Sequence, residues 1–142
     1  MSCHGRILAV DWGKRRVGLA VCDELGVTVR GLKTLVRTNR EGDLEALEKT
    51  AVEEEVHQLV VGRPLALDGS VGSAARQAEQ FGRTLAKRLG VPMELHDERL
   101  TSREAEAILR QRGGRYGKAE IDRLAAVLIL RSYLAAREGQ EA

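Results

Sequence analysis

Three acidic positions in this chain stand where a strand or helix begins or ends: Asp11, the pair Asp97-Glu98, and Asp122. Asp11 closes the apolar run Ile7-Leu8-Ala9-Val10 and precedes the basic turn Trp12-Gly13-Lys14-Arg15-Arg16. A carboxylate at the end of a buried strand has a rigid backbone and a reachable head group. Asp97-Glu98 ends a second short apolar stretch, and Asp122 falls in the first turn of the last helical segment, with Ala125 and Ala126 one turn on. Each has a structural explanation of its own: Asp11 as a turn residue, Asp97-Glu98 and Asp122 as helix-start charges. Together, and without a His or Cys cluster, they make an oxygen-only set suited to Mg²⁺ or Mn²⁺. Two such ions ~3.5–4 Å apart would activate water on one side of a phosphodiester and hold the leaving oxygen on the other.

The elements that must position these acids follow from the apolar pattern. The first run and the alternating Val17, Leu19 and Val21 predict a two-stranded hairpin, and residues 27–36 predict a third strand with a bulge or bend at Gly31. Thr38-Asn39-Arg40-Glu41 has capping-box spacing, and Leu44, Leu47, Ala51, Val52 and Val56 follow at helical intervals. Residues 58–62 read as a strand buried on both faces, parallel to the first. Gly62-Arg63-Pro64 opens a loop through Asp68-Gly69, which is expected to be mobile. A second helix starts near Ser73, is marked by Ala78, Phe81, Leu85 and Leu89, and stops at Gly90 and Pro92. Residues 92–96 form a fifth strand. Thr101 and Glu104 are spaced as a second capping box for a helix ending at Gly113-Gly114, and a last helix from about Ala119 is apolar almost all round between Leu124 and Leu130. The expected fold is one α/β domain over residues 1–142: an antiparallel three-strand meander plus two parallel strands in a five-stranded mixed sheet, with helices on both faces.

Composition narrows the function classes without choosing among them. At 142 residues with 43% hydrophobic and 31% charged content, the chain is long enough for one real core. The 23 basic and 21 acidic residues leave a net charge of +2, so a nucleic-acid partner must be argued from where the charges lie. Cys3 and Cys22 form no metal or disulfide pattern, and no apolar run has the length of a leader or membrane span. A cytoplasmic protein is expected. Lys14, Arg15, Arg16, Arg63, Arg99, Arg103, Arg115 and Lys118 all fall at strand ends, loops or helix starts, where they would hold phosphates without reading sequence. Trp12 and Tyr116 are placed to stack on a base, but four aromatics in all make no stacking platform, and packing beside the hairpin is the competing role for Trp12. His96 reads as a hydrogen-bonded structural histidine; His4 and His57 carry no signal.

Asp11-Trp12-Gly13 with Arg16-Val17-Gly18-Leu19-Ala20, Val61-Gly62-Arg63-Pro64 with Asp68-Gly69, Asp97-Glu98-Arg99-Leu100-Thr101, and Ile121-Asp122 with Ala125-Ala126 resemble the YqgF/RuvX family in order and spacing. The resemblance spans nearly the whole chain. It implies a ribonuclease H-like fold and a metal-dependent nuclease that processes the 5′ end of precursor 16S rRNA or resolves Holliday junctions. It implies Asp11, Glu98 and Asp122 as catalytic metal ligands, Glu98 being preferred over Asp97. The chain departs from the family in carrying Leu65-Ala66-Leu67 where an Asn is common, which removes that side chain as a substrate contact.

The expected activity is Mg²⁺- or Mn²⁺-dependent hydrolysis of structured RNA by in-line attack of water, leaving a 5′-phosphate. Lys14, Arg15, Arg16, Arg63, Arg99 and Lys118 are the expected substrate contacts. A resolvase of branched DNA is the alternative; it would need paired cuts and so a homodimer, where a processing enzyme can be a monomer. A non-catalytic RNA-binding module is a third reading. An actin-like ATPase, which also carries D-x-G after a first strand, would need a second domain that this length does not supply.

Overall fold

The computed structural model describes residues 5–63, 72–97, 101–113 and 117–141, with backbone alone for 101–103 and 138–141. The chain runs β1 (Arg6–Trp12), β2 (Arg16–Cys22), β3 (Val29–Gly31), β4 (Leu35–Val36), α1 (Arg40–Glu53), β5 (Val56–Arg63), α2 (Ser73–Leu89), β6 (Met93–Asp97), α3 (Thr101–Arg112) and α4 (Lys118–Glu141). The sheet order is β3-β2-β1-β5-β6, with β4 also pairing β2. β1, β2, β3 and β4 are antiparallel neighbours, while β5 and β6 run parallel to β1. The mixed sheet with its parallel half is the architecture expected from the sequence.

Strand alternation sorts the core into two layers. Leu8, Val10, Val17, Leu19, Leu59 and Val61 pack against Leu44 and Leu47 of α1 and Phe81 and Leu85 of α2. Ile7, Ala9, Ala20, Cys22 and Val60 pack against Ala126, Ile129, Leu130 and Tyr133 of α4. β1 and β5 contribute to both layers, which is why their sequences are continuously apolar rather than alternating. Helix α4 buries Ala125, Ala126, Val127, Ile129 and Leu130 while Leu128 is partly exposed, and α3 packs on α4.

The third strand is where the structure departs furthest from the expectation. It is two short strands, β3 and β4, and the sheet has six strands rather than five. The predicted bend at Gly31 is the reason. The Arg123 side chain occupies the space a Gly31 Cβ would need, and the Thr34 hydroxyl donates to Ala119 O at 2.8 Å. The connection is drawn onto the start of α4 and leaves the sheet. Val27 lies outside the strand and is 75% exposed, because Asp23 Oδ1 accepts its N–H at 2.7 Å and extends the preceding turn.

Helix α1 also begins and ends differently. Its cap is Asn39, whose side chain accepts from Gly42 N at 2.8 Å, not Thr38. It stops at Glu53, and Glu55 at φ 55° reverses the chain. Val56 therefore belongs to β5, and Val52 points to solvent. Helix α2 ends as predicted, with Gly90 left-handed at φ 69°. Helix α3 begins at Thr101 itself, and α4 at Lys118, so Asp122 opens the second turn of α4 rather than lying in its first. Among the described residues, no helix is long and apolar enough to cross a membrane.

Candidate active site

Asp11 is half-buried near the end of β1. It has the parity of Ile7 and Ala9 and so faces the α4 layer. Its sheet neighbours are both glycines, Gly18 on β2 and Gly62 on β5, and beyond Gly62 the next partner is His96 on β6. Across this row of four positions, the two residues flanking the carboxylate have no side chain. Gly18 has a second consequence: a Cβ there would overlap the carbonyl oxygen of Asp122, so α4 lies directly against β2 at this point. A glycine opposite Asp11 thus lets the backbone of α4 at Asp122 rest on the strand beside it.

Asp122 is held by Arg16, whose Nε donates to its Oδ2 at 2.7 Å, with both side chains about a quarter exposed (28% and 22%). A candidate phosphate contact is thereby the partner of a candidate metal ligand. Lys14 and Arg15 are exposed on the turn beside them, and Lys118 is exposed at the start of α4. Arg63 ends β5 opposite Asp97. Both have the parity of Val61 and Leu95, on the α1/α2 side of the sheet, away from the side Asp11 faces. Arg63 is half-buried, and its Nε is buried with no hydrogen-bond partner among the described residues. Glu98, Arg99 and Arg115, together with the loop bearing Asp68-Gly69 and Tyr116, lie outside the described residues, as does the side chain of Arg103.

Trp12 is not a base-stacking residue. It is 9% exposed, stacks on Phe81 with ring centroids 4.0 Å apart, and is covered by the Arg37 guanidinium 3.9 Å from its ring centre. His96 is the structural histidine expected, with Nε2 2.9 Å from Ser132 Oγ and its ring edge-on to Tyr133. Burial pushes its imidazole below the ordinary histidine range, opposed by the charge of Asp97.

Arg37 and Asp43 are the site residues that sequence spacing did not disclose. Arg37 Nη1 donates to Gly13 O at 3.0 Å and Lys14 O at 3.1 Å, and its Nε to Asp43 Oδ2 at 3.3 Å. Asp43 is 1% exposed and also accepts from Thr38 N at 2.9 Å. The basic turn is therefore bound from outside by a cation anchored on a buried acid. An aspartate next to the apolar stripe of α1 was the available signal, but in sequence it reads as an ordinary helix-start charge.

The donor set suits a hard divalent cation. The Asp122 backbone packs on Gly18, the sheet partner of Asp11, and the two acids offer oxygen alone. Among the described residues no three His, Cys, Asp or Glu form a metal-binding group, the third candidate, Glu98, being outside them.

Residues 5–136 match the model of RuvX, described as "Holliday junction resolvase". A protein of Koribacter versatilis named "Putative pre-16S rRNA nuclease" is 46% identical over 139 residues, covering 96% of this chain and 90% of its own length. One of Anaeromyxobacter with the same name is 47% identical over 131 residues, covering 91% and 96%. Among solved structures, Thermus thermophilus RuvC with a Holliday junction substrate has a TM-score of 0.58 at 15% identity, covering 96% of this chain and 97% of the other. The Fowlpox virus resolvase with Holliday junction DNA has 0.59 at 10% identity, covering 93% and 98%. These two share the fold, whereas the family model spans the motifs around Asp11 and Asp122. The chain belongs to the RuvX family.

Proposed function

We propose that this protein is a divalent-metal-dependent nuclease that hydrolyses phosphodiester bonds in precursor 16S rRNA, acting in the cytoplasm during ribosome biogenesis. The observation that carries the reading is the packing of the Asp122 backbone on Gly18, the sheet partner of Asp11, with Arg16 of the basic turn bound to the Asp122 carboxylate. The curated relatives named for that substrate supply its identity.

Asp11, Glu98 and Asp122 would hold Mg²⁺ or Mn²⁺, two ions in the fullest form of the site. Once bound, the metal supplies Lewis-acid activation of water and of the leaving oxygen. Asp97 shares the parity of Met93 and Leu95 on the α1/α2 side, away from the side that Asp11 faces, which supports Glu98 over Asp97 as the third ligand. Arg16 fixes the Asp122 carboxylate through its Nε and lessens repulsion between the acids while no metal is present. Lys14 and Arg15 bind the flanking phosphates, and Arg37 keeps their turn in one conformation, so less ordering is left for the substrate to impose. Arg63, Arg99 and Lys118 complete the substrate contacts.

Branched DNA is the second reading, favoured by the family model's description. The deciding assay offers precursor 16S rRNA fragments and a four-way DNA junction in parallel, with Mg²⁺ or Mn²⁺, to the wild type and to Asp11→Asn. Cleavage of the RNA by the wild type, and of neither by the variant, is expected. Cleavage of the junction alone would replace the substrate; cleavage of neither, or any cleavage by the variant, would end the mechanism.

A further inference from the structure

We propose that a second surface, running from the basic turn across the β3–β4 connection to the end of α3, carries the backbone of a double-stranded RNA arm leading away from the carboxylates. The inference rests on the nuclease reading above and adds to it the direction in which the substrate leaves the site.

Several arginines on other faces are engaged by acids. Arg88 pairs with Glu41 and Glu48, Arg83 with Glu79, and Arg6 and Arg30 with Glu54. Lys14, Arg15, Lys33, Arg112 and Lys118 are exposed and make no ion pair among the described residues, and Arg123 donates to a backbone oxygen. These six cations lie on segments that touch one another. Arg37 N donates to Arg15 O at 2.9 Å, joining the turn to β4. Lys33 precedes Thr34, whose hydroxyl meets Ala119 O, the neighbour of Lys118. Arg123 Nε donates to Leu32 O at 3.0 Å, and Arg123 and Arg112 line one cavity of about 190 Å³ with Gly31 and Glu120. Glu120 is the acid on this ground; its Oε1 is 3.3 Å from Gly117 N, at the start of α4.

The chemistry of the strip selects the partner. A strip of cations with one intervening acid holds successive phosphates. Single strands are usually held by base stacking as well, and among the described residues the aromatics Trp12, Phe81 and Tyr133 are buried, Tyr116 lying outside them. A surface that offers cations without exposed aromatics among the described residues suits the backbone of a duplex, in which the bases are already stacked. Along the other edge of the sheet, the cavity beside β6 sets Arg83 and Arg137 with Glu94 and His96, so its charge is mixed.

The test uses the full chain carrying Asp11→Asn, with a chelator, and the binding of a ~20-base-pair RNA duplex followed by fluorescence anisotropy against salt. Adding Lys33→Gln and Arg112→Gln removes two phosphate contacts. It should weaken binding roughly 50-fold at 0.1 M salt and lower the log–log salt slope by about 2. The charge-matched control Arg76→Gln with Lys87→Gln, on α2, should leave the slope unchanged. Circular dichroism confirms that both folds survive. Equal losses in the two pairs, or no loss in the first, would overturn the strip while leaving the nuclease reading standing. A single strand that binds as tightly and loses as much would overturn the duplex. Failure of the Asp11→Asn chain to bind RNA at all would remove the RNA reading and this surface with it.

Discussion

At the scale of single residues, the site depends on Gly18 as much as on the acids. Asp11 and Asp122 are far apart in sequence, and what joins them is that Gly18, the sheet partner of Asp11, lets the α4 backbone touch β2. The obstacle to a Cβ there is a carbonyl oxygen in a helix, which cannot swing aside as a flexible side chain would. Gly18→Ala should therefore cost at least about 1–3 kcal/mol as overpacking and move α4 outward. A denaturant melt would read the loss, and kcat should fall with Asp11 intact. Unchanged stability together with unchanged kcat would show that Gly18 does not set the spacing. The candidate acids were legible as residues because each closes or opens an apolar segment. Their proximity was not, because nothing local in the sequence says which glycine a distant helix will rest on.

At the scale of elements, the hairpin turn is held by a residue beyond β4. Arg37 covers Trp12, binds two turn carbonyls and is anchored on buried Asp43. Replacing it by Ala leaves Asp43 without that cation and frees the turn; a loss of about 2–4 kcal/mol follows from stranding a buried acid that keeps its backbone donor. Arg37→Ala should raise KM for RNA about tenfold, the phosphate-binding turn having to be ordered on binding at a cost near 1.4 kcal/mol. Its effect on kcat should be smaller. Arg37→Lys keeps the charge without the planar fork, so it should recover stability more than KM. Equal changes in KM and kcat would argue for a general loss of folding instead. The hairpin, α2 and its Gly90 stop could be read in the sequence because hydrophobic period and turn chemistry are local. The split of the third strand could not, because Arg123 and Ala119, which draw the connection away, lie some ninety residues further along.

At the scale of the whole molecule, one sheet carries two cores, and only one of them holds a proposed ligand. Leu130 is fully buried in the α4 layer and Leu85 in the α2 layer. Either Leu→Ala change should cost about 2–5 kcal/mol. Leu130→Ala should also lower kcat well below the unfolding transition, since α4 presents Asp122, whereas Leu85→Ala should lower stability with kcat nearly kept. Melting curves and initial rates on the same preparations would separate the two. Equal falls in kcat would mean that the layers are not independent supports of the site.

The sequence by itself determined the α/β class, the parallel half of the sheet, the main helices and the acidic and basic residues at element ends. All of these follow from periodicity and turn chemistry within a few residues. Tertiary packing alone set the Asp122 backbone on Gly18, the sheet partner of Asp11, and bound Arg16 to Asp122. It alone turned Trp12 inward under Arg37 and put Arg63 and Asp97 on the opposite side of the sheet from Asp11. Those outcomes depend on strand register and on the close approach of a helix to a glycine. Register and approach are properties of distant segments packed together, and no window of the sequence contains both partners.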